Sequence, residues 1–246
     1  MSDAKVSTIL LDIEGTTTPI EFVYEVLFPF AHRHVKEFIR QHRESADVCA
    51  DIAALRAEYL ADIEGGNEPP SWRDDSEDSW LESVTPYVHW QMKQDRKSTA
   101  LKSLQGKIWE AGYLSGSLLS QVYPDVPSAF AHWRKQERKI YIYSSGSILA
   151  QKLLFAHTTY GDLSSYLSGY FDTTTGAKRA AASYRSISEA IGWSGPEVLF
   201  VSDVSLELDA AQEAGMKTAL CVRSGSPEPK SGTHRIVHTF DVILPK

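Results

Sequence analysis

Only two cysteines, Cys49 and Cys221, occur in 246 residues. No disulfide framework is therefore expected, and a reducing compartment is. No apolar stretch is long enough to span a bilayer and no secretory signal stands out, so the expectation is a cytoplasmic protein with no membrane partner. Positive charge is short as well: 25 Lys and Arg stand against 32 Asp and Glu, a net charge of -7 with a pI near 5.6. A general binder of phosphate backbones needs excess cations to displace counterions, so nucleic acid is not an expected partner. Internal repeats and low-complexity segments are absent too. What remains is ordinary globular composition, 42% hydrophobic and 23% charged, in a chain long enough for one large domain or a main domain with a smaller insert.

Against that background one stretch carries chemistry. Asp12-Ile13-Glu14-Gly15-Thr16 follows directly on the apolar run Val6, Ile9, Leu10, Leu11, so two carboxylates stand where a buried strand opens into a polar turn. In open α/β sheets ligands collect beyond the carboxyl ends of the strands. The alternative at this point is an Asx-type turn, with Thr16 capping the next helix.

From Phe22 to about Leu119 strand signals almost vanish and helical spacing takes over: Phe30, Val35, Phe38 and Ile39, then Ile52, Leu55, Tyr59 and Leu60, then Leu101, Leu104, Ile108 and Trp109. A loop at Gly65-Gly66-Asn67-Glu68-Pro69-Pro70 interrupts this block, and Pro86 predicts a kink or break. From about Tyr123 helices and strands alternate: helix 126–135, strand 140–143, helix 148–155, a short strand at Tyr170 and Phe171, helix 180–191, strand 198–201, helix 206–214 and strand 218–222. Val242 to Leu244 adds a last edge strand to this expectation. The alternation predicts one parallel, doubly wound α/β sheet. The first strand is needed to complete that sheet, so the helical block is an insert. Residues 1–19 and 120–246 are expected to form the α/β core domain, and residues 20–119 an all-helical cap domain.

Three more stations lie at strand ends. Ile140-Tyr141-Ile142-Tyr143 ends in Ser144-Ser145-Gly146-Ser147, where hydroxyls and free N–H groups suit an anion or, alternatively, cap a helix. Val198-Leu199-Phe200-Val201 ends in Ser202-Asp203, with Ser205 and Glu207 opening the next helix. Gly169-Tyr170-Phe171-Asp172 leads to Lys178 through a Gly-containing loop. Capping or solvation explains each station alone but not the set, because strand ends of one parallel sheet lie side by side. Two carboxylates and a carbonyl oxygen suit Mg²⁺, which takes few protein ligands plus substrate phosphate. Lysine and serine hydroxyls suit the remaining phosphoryl oxygens. Attack by an aspartate on phosphorus would split transfer to water into two easier steps through an aspartyl-phosphate, with Glu14 handling protons.

These residues resemble the haloacid dehalogenase superfamily of aspartyl-phosphate phosphatases, whose four stations appear in order as Asp12 to Thr16, Ser144, Lys178 and Asp203. Most of its phosphatases carry a second aspartate where this chain has Glu14. The stretch Asp12 to Ile20 is similar to the acireductone synthases, or enolase-phosphatases, of methionine salvage. So are Gln94-Asp95-Arg96-Lys97, Leu104-Gln105-Gly106, Tyr141 to Ser147, Gln151 to Phe155 and Gly169 to Asp172. The resemblance implies a Rossmann-like core with a helical cap, a monomer, one Mg²⁺ per subunit, and a small phosphorylated diketone as substrate. That substrate is 2,3-diketo-5-methylthiopentyl 1-phosphate, enolised and then dephosphorylated to acireductone. It further implies Asp12 as nucleophile and metal ligand, Asp203 as second carboxylate ligand, and Glu14 as donor of a backbone carbonyl to the metal and a side chain to proton transfer. Ser144, Ser145 and Lys178 would hold the substrate.

Spacing alone does not say which group takes the enolisation proton, and Glu14 is the candidate because its side chain reaches further than an aspartate. Trp72, Trp80, Trp90 and Trp109 offer aromatic surface in the helical block but are expected mainly in its core, as is His89. His32-Arg33-His34 has no partner at metal spacing, and Arg134-Lys135 with Arg138-Lys139 reads as a solvated face. The rivals are a phosphatase of the same superfamily without enolisation, a dehalogenase in which aspartate attacks carbon, and a receiver-like binding module.

Overall fold

A computed structural model describes residues 6–73, 75–225 and 232–245. The chain divides into two compact units, Met1–Val23 with Leu119–Lys246, and Tyr24–Leu118.

The first unit is built on six parallel strands in the order β3-β2-β1-β4-β5-β6. They are β1 (Thr8–Leu11), β2 (Lys139–Tyr143), β3 (Gly169–Phe171), β4 (Val198–Ser202), β5 (Lys217–Cys221) and β6 (Arg235–Val237). Every residue of β1 and β4 is buried, as expected for central parallel strands covered on both faces, which need continuous apolar runs. Leu11 pairs with Ile142 on one side and Val201 on the other, so Asp12 emerges between the ends of β2 and β4. The strand order reverses direction about β1, and the gap between β1 and β4 is the switch point where open α/β sheets hold their ligands.

Helices cover both faces of this sheet. Leu10, Tyr143 and Phe200 point toward Tyr184 and Ile187 of α7 (Ala181–Ile191) and Leu208 and Ala211 of α8 (Ser205–Glu213). Side chains alternate along a strand, so Ile9, Leu11, Ile140 and Ile142 point to the opposite face. The other α-helices among the described residues of this unit are α5 (Val126–Lys135) and α6 (Ile148–Ala156), which meet through Phe130 and Phe155 with ring centroids 6.1 Å apart. Burying this many Leu, Ile, Val and Phe side chains contributes roughly 1.5–3 kcal/mol each before entropy is counted.

The expected final strand at Val242 to Leu244 does not form. Phe240–Val242 is a short 3-10 turn, and the sixth strand is Arg235–Val237. Ile243 and Leu244 bury their side chains by docking instead, with the Ile243 carbonyl accepting the Trp133 Nε1 hydrogen 3.0 Å away. Arg138 also departs from the solvated face expected of it. It is half-buried and donates to the Val6 carbonyl and, at 3.0 Å, to Gln136.

Among the described residues the second unit opens in a π-helical segment (Phe22–Leu27) and continues as α1 (Phe28–Gln41), α2 (Ala46–Glu64), α3 (Glu77–Lys93) and α4 (Thr99–Leu114). Phe30, Ala31, Val35, Phe38 and Ile39 form the buried stripe of α1, the helical period at work. Leu60, expected on the inner stripe of α2, is instead 49% exposed. No break occurs at Pro86: α3 runs through it. Pro86 lies on the exposed side of the helix, where the carbonyl it leaves without an N–H partner can reach solvent. Trp72 and Trp109 are buried and Trp80 and Trp90 half-buried. His89 stacks on His32 at 3.6 Å and bonds to its carbonyl oxygen at 2.9 Å, a packing role. Both cysteines are free thiols. Among the described residues no helix is long and apolar enough to cross a membrane.

Candidate active site

Asp12 continues the ladder of β1, its N–H donating to the Val201 carbonyl at 3.0 Å, and then the chain turns sharply. The Ile13 carbonyl accepts from the N–H groups of Thr16, Thr17 and Thr18 at 3.1, 2.9 and 2.9 Å, which closes the turn. Gly15 adopts φ +70°, and a Cβ there would fall 2.3 Å from Asp203 Oδ2. Only glycine meets both demands. Thr16 does not cap a helix. Its hydroxyl accepts the Asp203 N–H at 3.0 Å, which ties the end of β1 to the end of β4.

Asp12 is 2% exposed and its carboxylate is held from three sides. Oδ1 accepts from Ile13 N at 2.7 Å and Lys178 Nζ at 2.6 Å, while Oδ2 accepts from the Ser202 hydroxyl at 3.0 Å. Lys178 reaches it from the loop between β3 and α7, anchored by the Tyr184 hydroxyl, which donates to the Lys178 carbonyl at 2.6 Å. Its ammonium also pairs with Glu207 Oε2 at 2.7 Å. Burial opposes the Lys178 charge, but Asp12 and Glu207 together outweigh burial and raise its pKa above the usual lysine value. Lys178 is therefore a fixed cation at the working pH.

Ser144 is buried, and its hydroxyl donates to Glu14 Oε2 at 3.3 Å while accepting from Gly146 N at 3.2 Å. The helix cap is Ser147, whose hydroxyl accepts from Ala150 N at 3.3 Å. The cap is therefore not Ser144, and Ser145 is exposed on the turn. Gln151 pins that turn by donating to the Gly146 and Phe171 carbonyls at 2.8 and 2.9 Å.

The carboxylates of this pocket are electrostatically crowded. Removal from solvent and the charge of Asp12 raise the pKa of Glu14, despite Lys178 and Ser144. Burial first and Asp12 second push Glu207 up to about 7. Desolvation and then repulsion from Asp12 push Asp203 up to about 6; part of Asp203 still meets solvent, which screens both effects. Among the described residues Lys178 pairs with Asp12 and Glu207, while Glu14 and Asp203 feel its charge without pairing with it, so carboxylates outnumber ammonium groups here.

The structure therefore brings Asp12, Glu14, Ser144, Lys178 and Asp203 to the ends of β1, β2 and β4 and the loop after β3. Glu207 was noticed in the sequence only as a residue opening a helix. Its signal was there: it lies four residues after Asp203 and directly before Leu208, on the inward side of α8, where an ordinary first-turn glutamate would face water. Among the described residues no three His, Cys, Asp or Glu side chains form a ready cation cage.

The haloacid dehalogenase-like hydrolase family profile matches residues 6–215. The enolase-phosphatase E1 of Synechococcus elongatus is 48% identical over 97% of this chain and 98% of its own. That of Pseudomonas syringae pv. tomato is 44% identical over 98% of both chains. The crystal structure of the UTR4 protein from Saccharomyces cerevisiae superposes with a TM-score of 0.79 at 35% identity, covering 97% of this chain and 100% of that one. A buried aspartate held by lysine at the switch point of a parallel sheet, in a chain related end to end to these proteins, identifies it: the chain belongs to the haloacid dehalogenase-like hydrolases and, within them, to the enolase-phosphatase E1 family.

Proposed function

We propose that this protein is an acireductone synthase, a Mg²⁺-dependent enolase-phosphatase that converts 2,3-diketo-5-methylthiopentyl 1-phosphate to acireductone and phosphate in methionine salvage. The observation that carries this is Asp12 Oδ1 held 2.6 Å from Lys178 Nζ, with Glu14 beside it against Ser144. It supplies a nucleophile, a phosphate-binding cation and a separate proton acceptor at one sheet edge.

Asp12, Asp203 and the Glu14 backbone carbonyl would hold Mg²⁺, one per subunit, and the excess of carboxylates over cations fits such a guest. When bound, Mg²⁺ neutralises charge on the phosphoryl and enolate oxygens. Lys178, Ser144 and Ser145 hold the substrate phosphate. Glu14, with its raised pKa, takes the proton from the carbon beside the carbonyl, and the C–H electron pair becomes the enol double bond. Asp12 then attacks phosphorus, the enol oxygen leaves, and water later cleaves the aspartyl-phosphate. Lys178 stabilises the charge that develops on the enolate and phosphoryl oxygens, and its fixed position costs no reorganisation.

In this reading the helical unit serves as the cap domain, selecting the substrate by its methylthio tail, and the protein works as a cytoplasmic monomer. The test is incubation with the diketone phosphate and Mg²⁺ while enol absorbance and free phosphate are followed together. Enol first and phosphate second is the expected order. Phosphate released with no enol would instead support a phosphatase of the same family that acts without enolisation.

A further inference from the structure

Arg223 takes no part in the chemistry above, yet it is only 4% exposed and its donors are almost fully used. Nε and Nη2 both donate to the Thr16 carbonyl, at 2.9 and 2.6 Å. Nη1 donates to Asp125 Oδ2 at 2.7 Å and to the His238 carbonyl at 3.4 Å. The rings of Tyr123 and Phe240 lie against the guanidinium, 4.2 and 4.5 Å from its central carbon. The same Asp125 oxygen accepts from Phe240 N at 2.6 Å, and Tyr123 N donates to the Thr17 carbonyl at 3.0 Å. Arg223, Asp125, Tyr123 and Phe240 thus form one block to which the main chain of Thr16 and Thr17 is fastened.

A buried guanidinium is an expensive strut, since apolar residues of similar volume fill space at least as well. What arginine adds is a rigid planar fork that fixes the groups it binds in one geometry. Here the group fixed is Thr16, which is itself wholly buried. Its carbonyl is held by Arg223 and its hydroxyl accepts the Asp203 N–H, while its neighbour Gly15 packs on the Asp203 carboxylate with no room for a methyl group. Any drift of Thr16 therefore changes the spacing between the turn that carries Asp12 and Glu14 and the carboxylate of Asp203.

We propose that Arg223 is a positioning residue that, through Thr16, sets the separation between the Asp12–Glu14 turn and Asp203, and so tunes the protein for a divalent cation and for phosphoryl transfer. The proposal rests on the phosphatase reading above. Lysine at this position keeps the charge but cannot bridge the Thr16 carbonyl and Asp125 with one planar group.

The test compares wild type, Arg223→Lys, Arg223→Met and, as a control for ordinary loss of packing, Leu163→Ala, a buried residue in the connection between α6 and the edge strand β3. Mg²⁺ binding is measured by calorimetry without substrate, and kcat and KM with both the diketone phosphate and p-nitrophenyl phosphate. Both Arg223 variants should bind Mg²⁺ about tenfold or more weakly and lose kcat by a similar factor, the range for loss of a group that orients a metal ligand. KM should move less, and Leu163→Ala should lower the melting temperature without weakening Mg²⁺. Arg223 variants that melt earlier but keep wild-type Mg²⁺ affinity and kcat would overturn the proposal. Wild type that hydrolyses only p-nitrophenyl phosphate would overturn the substrate assignment alone, and Arg223 would then be judged on that probe. Wild type that binds no Mg²⁺ would overturn both.

Discussion

Lys178 Nζ stands 2.7 Å from Glu207 Oε2 while it also pairs with Asp12 at 2.6 Å, so one ammonium is shared between a carboxylate on α8 and the carboxylate beyond β1. Glu207 thereby fixes where Lys178 points. Glu207→Gln keeps an oxygen for the lysine but removes the charge, and kcat should fall roughly 10–100-fold with little loss of folding, because small misplacements of a catalytic group are expensive. Steady-state kinetics beside a melting curve checks this, and wild-type kcat in the variant would sink the idea. Lys178→Met is the harsher change: it strands two buried carboxylates, which typically costs about 3–5 kcal/mol. Urea denaturation should show a smaller loss at pH 6 than at pH 8, because Glu207, pushed up to about 7 by burial and by Asp12, can take a proton there.

Gly15→Ala tests how tightly the turn after β1 is packed. The added methyl would stand 2.3 Å from Asp203 Oδ2, and the backbone at φ +70° adds strain of roughly 1–2 kcal/mol for a non-glycine residue. Relief must come by moving Asp203 or the turn. Activity should therefore fall by at least about 100-fold, while the melting temperature drops only by a few degrees. A variant that loses stability but retains most of its kcat would show that Asp203 tolerates displacement.

The strand-end residues were legible because a doubly wound sheet forces a change from apolar to polar at each carboxyl end, and Asp12, Ser144 and Asp203 sit at those changes. Partners that act across the fold were not. Glu207 in the first turn of α8 looks like a charge placed for the helix dipole, and its pairing with Lys178 is a matter of which way α8 faces. Arg223 sits in Cys221-Val222-Arg223, where nothing local distinguishes a buried guanidinium from a solvated one. The apolar Val242-Ile243-Leu244 resembled a strand, but Trp133 offered it a docking site. β6, with Arg235 and Ile236 exposed, has too little alternation to announce itself. The end of the sheet was therefore misplaced by tertiary contacts that no local pattern encodes.

The crowding of carboxylates makes stability depend on pH in a direction opposite to the common one for acids. Asp203 is raised from 3.8 to about 6 and Glu207 from 4.5 to about 7, and Glu14 is raised as well. Each binds its proton more tightly folded than unfolded, so in the metal-free protein these three groups hold more protons than in the unfolded chain between about pH 4 and pH 7, and their contribution to stability falls as pH rises through that window. The raised Lys178 acts only at far higher pH. In chelator, the melting temperature should be higher at pH 5 than at pH 8, and Asp203→Asn should flatten the slope. Mg²⁺ competes with these protons, so its stabilisation should grow over the same interval. A metal-free melting temperature that climbs from pH 5 to pH 8 would contradict the crowding.

Glu14 is where the two half-reactions separate. It lies two residues from the nucleophile, its side chain accepts from Ser144 at 3.3 Å, and burial and the Asp12 charge make it a stronger base than a free glutamate. Glu14→Gln keeps the size and the backbone carbonyl while removing the basicity. With the diketone phosphate, enol absorbance should appear at least about 100-fold more slowly, the usual scale of a lost general base. With the enol phosphate supplied directly, phosphate release should fall far less, because Asp12, Lys178 and Asp203 are untouched. Ser144→Ala should weaken both half-reactions together, since the hydroxyl serves the phosphate as well as Glu14. If Glu14→Gln makes enol at the wild-type rate while phosphate release stops, the base lies elsewhere and Glu14 belongs to the phosphoryl-transfer step alone.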